Sequence, residues 1–393
     1  MALRRLARGA AEAWEVPRDL LLGRYPAFVT GGPLSQGEIP VFVFHGAEPV
    51  AFGRKMRHLV DNGYETLAVD DYLAVLRGER PAPARAVLLT FDDGRGSVWS
   101  VAAPILRRHA MRAVVFLVPG RIGSRPGLGP TIDGADASPP GPAILRETGE
   151  AALMSWEEIE ALARGGAFEF QSHTHSHARV HTAPILAGFA TPRSRQGYDA
   201  FDQPLVRAKG RDLLGEDVPL GTPLLRSAPR TAESLRFFED EALRRACIDT
   251  VAEGGGEGFF RRSDWEARLR RLLRGERLRG RIETPDERAL AIGLELTESK
   301  RVIEQHTDRP VTHLCYPWHA AGPTARRLAT EAGYQTAFCG KVEGAPISLP
   351  GGDPGAIARL GEDYVELLPG KGRATLSEVL RHKWARRFGV ALR

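Results

Sequence analysis

"AVLLTFDDG", residues 86–94, decides the fold of this 393-residue chain. From Ala86 to Phe91 the only polar side chain is Thr90, and the run stops at Asp92, Asp93 and Gly94. An apolar run of this kind reads as a strand covered on both faces, as parallel strands in α/β proteins are. Its Asp-Asp-Gly end is a turn signal, because Asp and Gly favour turns. It is also a pair of like charges at the C-terminal end of a buried strand. In α/β barrels that is the face where catalytic groups gather.

Working outward, similar runs recur. "VFVFHG" ends at His45–Gly46 and "ETLAVD" at Asp70, "RAVVFLVPG" begins at Arg112 and "FEFQSH" at Phe168. "THLCYP", "QTAFCG" and a final "YVELLPG" follow. Helical patterns lie between them. "SWEEIEALARGG" has Ser155 as N-cap, Glu158 at the capping-box position and Gly165 as a stop. "SVWSVAAPILRRHA" and "PTARRLATEAGY" are also amphipathic. This alternation predicts a (β/α) barrel or a doubly wound sheet.

Two segments break the rhythm. Residues 119–150 are rich in Gly and Pro and read as a long functional loop. Residues 182–297 read as a helical insertion. Within it, Ser263 and Glu266 suggest a capping box, with Trp265, Leu269, Leu272 and Leu273 on one face. Thr284, Pro285 and Glu287 mark a second helix start.

The net charge of +5 comes mainly from arginines interleaved with acids. With no long basic run or stacked-aromatic pattern, nucleic-acid binding is not expected. Cys247, Cys315 and Cys339 are odd in number and widely spaced, unlike a disulfide framework or a CxxC zinc site. There is no signal-peptide core, and no run near the ~20 apolar residues of a membrane span. The expectation is a cytoplasmic protein. Membrane contact would be at most peripheral, at the inner face, through a short basic helix in "LRRLARGAAEAW".

The chain's 11 histidines are unevenly spread: "FEFQSHTHSHARVH", residues 168–181, holds His173, His175, His177 and His181. His173 and His177, four apart, can present two imidazoles to one metal. With a carboxylate from the Asp92–Asp93 pair they would make a facial set, leaving positions for water and substrate.

"TFDDG" followed by "SHTHSH", then by "HLCYPW" and "ARRLATEAGY", resembles the polysaccharide deacetylase family, the NodB-homology domain. "VFVFHG…GYETLAVDDYLAVL" is similar to the opening of one branch. The likeness covers roughly residues 40–181 and 298–370. It implies an α/β fold, a distorted (β/α) barrel of the polysaccharide deacetylase type with a large helical insertion. Residues 1–39 would be an N-terminal extension, 40–181 and 298–393 the barrel, and 182–297 a substrate-specificity element. It further implies a divalent metal, zinc first, with nickel, cobalt or manganese as alternatives. Asp93, His173 and His177 would hold it, Asp92 would be the general base, and Thr174 would support the histidine loop. The backbone N–H of Trp318 would face the oxyanion. The implied reaction removes an N-acetyl group from an amino sugar of a polysaccharide, glycolipid or glycan precursor.

The chain departs from the family pattern at three places. Cys315 stands where the third motif often has the arginine that positions the base, and His319 stands where Gly is usual. The late Leu-x-Leu-His motif, whose histidine commonly protonates the leaving amine, is absent, and Pro369 falls about there. His45 and His319 are the available replacements. A phosphate- or lipid-linked substrate would give Arg226 and Arg230 a role. The alternatives are hydrolysis of another C–N bond, in an imide or formamide, or a glycan-binding relative without turnover.

Overall fold

The Ala86–Phe91 run forms the strand expected of it, and every residue of that strand is buried. The computed structural model describes residues 18–134, 141–146, 152–195, 200–274, 279–340 and 349–388. The first part of the chain supplies β1 (Val41–Phe44), β2 (Glu65–Thr66), β3 (Ala86–Asp93), β4 (Ala113–Leu117) and β5 (Phe168–Ser172). The middle supplies β6 (Arg179–Phe189), β7 (Val206–Ala208), β8 (Arg211–Leu213), β9 (Pro223–Pro229), β10 (Phe237–Glu239) and β11 (Gly280–Ile282). The chain then returns with β12 (His313–Cys315), β13 (Thr336–Phe338) and β14 (Leu360–Gly361).

One sheet runs in the order β13-β12-β5-β4-β3-β1-β14, parallel at each pairing, with β2 against the first residues of β3. Its two ends meet. Ile357 pairs in parallel with Phe338 of β13, and three residues later Leu360 and Gly361 pair with Phe42 and Val43 of β1. Residues 357–361 therefore close the ring, giving a distorted (β/α) barrel.

Strand alternation sorts the side chains. Leu88, Val114, Phe116, Cys315, Phe338 and Ile357 share the interior cluster. Leu89, Val115, Leu117, Phe170 and Leu314 join the larger cluster with the surrounding helices. The Val69–Leu76 helix adds Tyr72, Leu73 and Leu76 to the interior cluster. Its Val69 N–H donates to Glu169 and its Asp70 meets His313, both at the starts of strands, so it plugs the N-terminal end. The opposite end carries Asp92 and Asp93.

Several expectations shift. "ETLAVD" is a strand only at Glu65–Thr66, because Val69 already begins the plug helix. "YVELLPG" is largely 3₁₀ helix, Glu362–Leu367, and the closing stave comes just before it. The Ser155–Glu158 capping box is present, but the left-handed stop is Gly166 rather than Gly165. The middle segment holds helices Glu241–Glu253 and Trp265–Leu272, together with three antiparallel strand pairs, β6–β9, β7–β8 and β10–β11. Ser263 caps nothing: Asp264 is the N-cap, without a side-chain bond, and Glu266 pairs with Arg270. Leu269, Trp265 and Leu273 pack into a small local core, while Leu272 is exposed. The Pro285–Thr307 helix has its Thr284–Glu287 capping box, and its Ile292, Leu296 and Ile303 belong to the main barrel core. The N-terminal basic helix lies outside the described residues. Among the described residues no helix is long and apolar enough to cross a membrane.

Candidate active site

At the end of β3 the backbone turns through two left-handed residues, Asp93 (φ 71°) and Gly94 (φ 73°). A side chain at Gly94 would stand 2.7 Å from Leu117, so only glycine fits beside β4. The turn leaves both carboxylates buried. Nine non-glycine residues among those described have positive φ, and five of them are Asp93, Thr174, His177, Trp318 and His319. Backbone strain is thus concentrated at one place, as at functional sites where surrounding contacts hold it.

The histidine loop leaves β5 and is held from three sides. Thr174 Oγ1 accepts the His177 N–H at 3.3 Å, and Ser172 Oγ accepts the Thr174 N–H at 3.2 Å. Glu295 on the Pro285–Thr307 helix accepts from the Ser176 N–H at 2.8 Å and from the Ser176 hydroxyl, while its own carbonyl takes the His175 N–H. Gly120 donates to the His175 carbonyl at 2.7 Å, and a Cβ there would strike that same oxygen. His175 and His181 do not join the site: His181 is tied to Glu239 and to the Leu225 N–H.

These supports bring three ligand-type atoms together. Asp93 Oδ1 lies 3.7 Å from His173 Nε2 and 3.7 Å from His177 Nε2. Two ligands of a tetrahedral ion, each 2.0–2.1 Å from it, stand about 3.4 Å apart, so this spacing suits a small divalent cation. His173 Nδ1 donates to the Cys315 carbonyl at 2.8 Å, which turns Nε2 inward as a lone-pair donor. The other Asp93 oxygen is held by Arg95, at 2.9 and 2.5 Å.

Asp92, His173 and Cys315 also converge, but that set is already engaged. Arg359 reaches in from the closing stave, two residues after the interior Ile357 and so on the same face. Its Nη1 and Nη2 donate to the two Asp92 oxygens at 2.7 and 2.8 Å. The guanidinium also contacts Thr90 Oγ1, Cys315 Sγ and the Cys339 carbonyl, and its side chain is fully buried. Burial holds the Cys315 thiol well above its usual range, in the protonated form.

Burial alone would push Asp92 up. The charge of Arg359, then His173 and the paired hydrogen bonds, outweigh it and hold the carboxyl far below the usual range. For Asp93 burial is likewise outweighed, chiefly by Arg95 and then His45 and His177, and the group sits at about 2. Burial lowers His173 despite the two carboxylates, and it lowers His177 to about 3 with help from His173. At neutral pH the centre holds two carboxylates and two neutral imidazoles, the protonation states a metal needs.

Trp318 and His319 follow β12 at the rim. The Trp318 ring lies 4.1 Å from that of His177, its Nε1 donates to Asp202 at 3.2 Å, and Arg179 sits over it. Its neighbours' amides are committed, His319 N–H to the Tyr316 carbonyl and Ala320 N–H to that of Pro317. His45 is exposed at the mouth and its charge acts on both Asp92 and Asp93. His319 packs on Gly340; desolvation of its ring in the cleft, then the Arg359 charge, lowers it to about 4.

Residues 79–196 match the family model for polysaccharide deacetylase, an interval that contains Asp92, Asp93, His173 and His177. That interval is similar to the polysaccharide deacetylase family. It is 28% identical over 96 residues to YxkH of Bacillus subtilis (strain 168), a protein named as a polysaccharide deacetylase. That match covers 22% of this chain and 34% of the relative. It is 34% identical over 71 residues to the poly-beta-1,6-N-acetyl-D-glucosamine N-deacetylase of Escherichia coli (strain K12), covering 18% of this chain and 11% of that protein. The chain thus spans about a third of the first relative's length and about a tenth of the second's. The deacetylase domain of BpsB from Bordetella bronchiseptica shares the fold, with a TM-score of 0.51 and 16% identity over 84% of this chain and 97% of that one.

Around this site, sequence reasoning missed Arg359, Arg95 and Glu295. Arg359 supplies the guanidinium whose absence at Cys315 was noted above. Its trace in the sequence is an arginine two residues after an apolar one in "AIARLG", a run too short to read as a strand. Arg230 is a correction. It is buried and forms a two-pronged pair with Glu283 at 2.8 and 2.5 Å, so it is unavailable to a phosphate. That pair joins the end of β9 to the residue following β11.

Proposed function

We propose that this chain is a metal-dependent N-deacetylase that hydrolyses the N-acetyl group of an amino sugar in a polysaccharide or glycan precursor. The observation that carries this reading is the convergence of Asp93 Oδ1, His173 Nε2 and His177 Nε2 beside a separate, ionised Asp92. Asp93, His173 and His177 would hold a divalent ion, zinc being the expected one. Such an ion supplies Lewis acidity, which lowers the pKa of water from 15.7 to about 7.

Asp92 accepts the proton of the attacking water. Arg359 fixes the plane of that carboxylate and keeps it charged at working pH. Because Asp92 is held so acidic, it gives up the proton it receives readily to solvent, while the leaving amine takes its proton from a separate acid. His45 is the proposed donor to that amine, since His319 is held neutral and packed against Gly340. The Trp318 backbone, in its left-handed conformation, would offer the N–H that faces the oxyanion. The inserted segment would shape the substrate groove, because its Phe201 touches His177 and its Asp202 holds the Trp318 indole. The free, buried thiols of Cys247, Cys315 and Cys339 support a reducing, cytoplasmic setting as part of the proposal.

The test is metal analysis beside acetate release from N-acetylated oligosaccharides, with cyclic imides and formamides as comparison substrates. Release of acetate in proportion to bound metal is expected. A metal-loaded protein that turns over only the comparison substrates, or none, would overturn the reading.

A further inference from the structure

Beyond the rim of the site lies a cavity of about 550 Å³ whose ionisable lining, among the described residues, is cationic: Arg121, Arg125 and Arg195, with no acidic side chain among them. It is built against the catalytic centre. Phe201 lines the cavity and turns its edge to the His177 ring at 5.4 Å. Leu153 and Met154, also in the lining, are bonded to the Gly94–Arg95 turn that follows the aspartates.

Arg121 is the decisive residue. Its Nε donates to the Ser176 carbonyl in the histidine loop at 2.8 Å, and its Nη1 to the Ala200 carbonyl at 3.1 Å. Its Nη2 is buried and finds no partner among the described residues. No carboxylate among them forms a salt bridge with it, and the guanidinium carbon sits over Phe201, 4.6 Å from the ring centre. Burial lowers Arg121 to about 10, which still leaves it charged at neutral pH. Arg125 spends Nη2 on Glu158 at 3.0 Å, and its buried Nε is also unpartnered. Glu158 is shared with Arg146, so one carboxylate serves two guanidinium groups. A buried cation with spare donors and no carboxylate in direct contact among the described residues is costly to maintain. An arginine fork matches the planar geometry of an oxyanion.

We propose that this cavity is a subsite for an oxyanion carried by the sugar substrate, a phosphate or a carboxylate, bound by Arg121 with Arg125 and Arg195. The proposal deepens the deacetylase reading and rests on it for the identity of the substrate. The oxyanion would replace the missing partner of Arg121 Nη2, and Phe201 would separate it from the acetyl group being cleaved.

The test compares the holoenzyme on three N-acetylated disaccharides: a neutral one, the same sugar phosphorylated, and one with a uronic acid. Acetate release gives kcat/KM, and calorimetry gives affinity without turnover. The expected result is at least tenfold preference for an anionic sugar, with the phosphate and carboxylate arms showing which group it is. Arg125→Gln and Arg195→Gln should each lower the anionic-to-neutral ratio roughly tenfold, as loss of one charge-assisted hydrogen bond does. Arg121→Gln should lower it further, and metal content checks that its histidine loop still forms. Acetate release without any preference, or a preference unchanged in all three variants, overturns the subsite. An arginine-dependent preference in binding without acetate from any sugar upholds the subsite and overturns the hydrolytic reading instead.

Discussion

Replacing Arg359 with Met should damage stability and activity in ways that depend oppositely on pH. The guanidinium is fully buried and makes two bonds to Asp92 and one each to Thr90, Cys315 and the Cys339 carbonyl. Breaking a buried ion pair from one side costs about 3–5 kcal/mol, because the surviving charge stays desolvated. For a chain of 393 residues that corresponds to a fall in Tm of roughly 4–6 °C. The sign with pH follows from Asp92. In the native protein its pKa lies below the unfolded value of about 3.9. Its contribution is therefore present above that value and is lost only as pH falls through the lower, folded pKa. Without Arg359 the burial effect loses its chief opponent and the folded pKa rises. The variant's stability deficit should then be largest near pH 7 and shrink toward pH 4. The acid limb of kcat/KM should move to higher pH, and activity at its maximum should fall toward the 10²–10⁴-fold that a general base contributes. Arg359→Lys keeps the charge and should recover part of the stability but less of the rate. Urea titrations of the apo protein at several pH values, beside pH–rate profiles of the metal-loaded protein, measure all of this. A deficit under 1 kcal/mol that is flat with pH, with an unmoved acid limb, would refute the reasoning.

The two aspartates should fail differently. Asp93→Asn should lose metal and activity together, as should His173→Ala and His177→Ala, whereas Asp92→Asn should keep its metal and lose 10²–10⁴-fold in kcat; the opposite pattern in metal analysis would reverse the roles. Glu295→Ala removes the carboxylate that holds both the Ser176 N–H and its hydroxyl, so metal affinity should weaken 10–100-fold with the barrel intact by circular dichroism. His45→Ala should slow amide substrates far more than activated esters, whose leaving groups need no proton; an equal loss on both, or the selective loss appearing in His319→Ala, would move the acid elsewhere.

How much could be read in advance depends on the range of each interaction. The grouping of Asp93 with His173 and His177 came from the motif resemblance, whereas the β3 strand and the Ser155–Glu158 and Thr284–Glu287 capping boxes were legible because periodicity and capping act over a few residues. Arg359 was not, because its partner Asp92 lies 267 residues earlier and the stave that carries it pairs over so few residues that it has no strand signature. The inserted segment looked purely helical for a similar reason. Its strands β7, β8, β10 and β11 are three residues each, and pairing with distant neighbours forms them rather than local propensity. The Pro285–Thr307 helix was divided at residue 297 because the sequence shows its caps but not what it leans on; the structure gives it Glu295 under the histidine loop and three residues in the main core.

The stave at residues 357–361 both shuts the barrel and carries the guanidinium that neutralises Asp92. A nascent chain exposes Asp92 long before Arg359 has been synthesised. Until then, packing the interior around Asp92 means burying a lone charge or a proton in its place. Completion of the ring and arming of the base are therefore one event, and a truncated or half-assembled chain is left without a correctly charged carboxylate. The last stave acts as an electrostatic latch, making competence for chemistry a readout of finished folding.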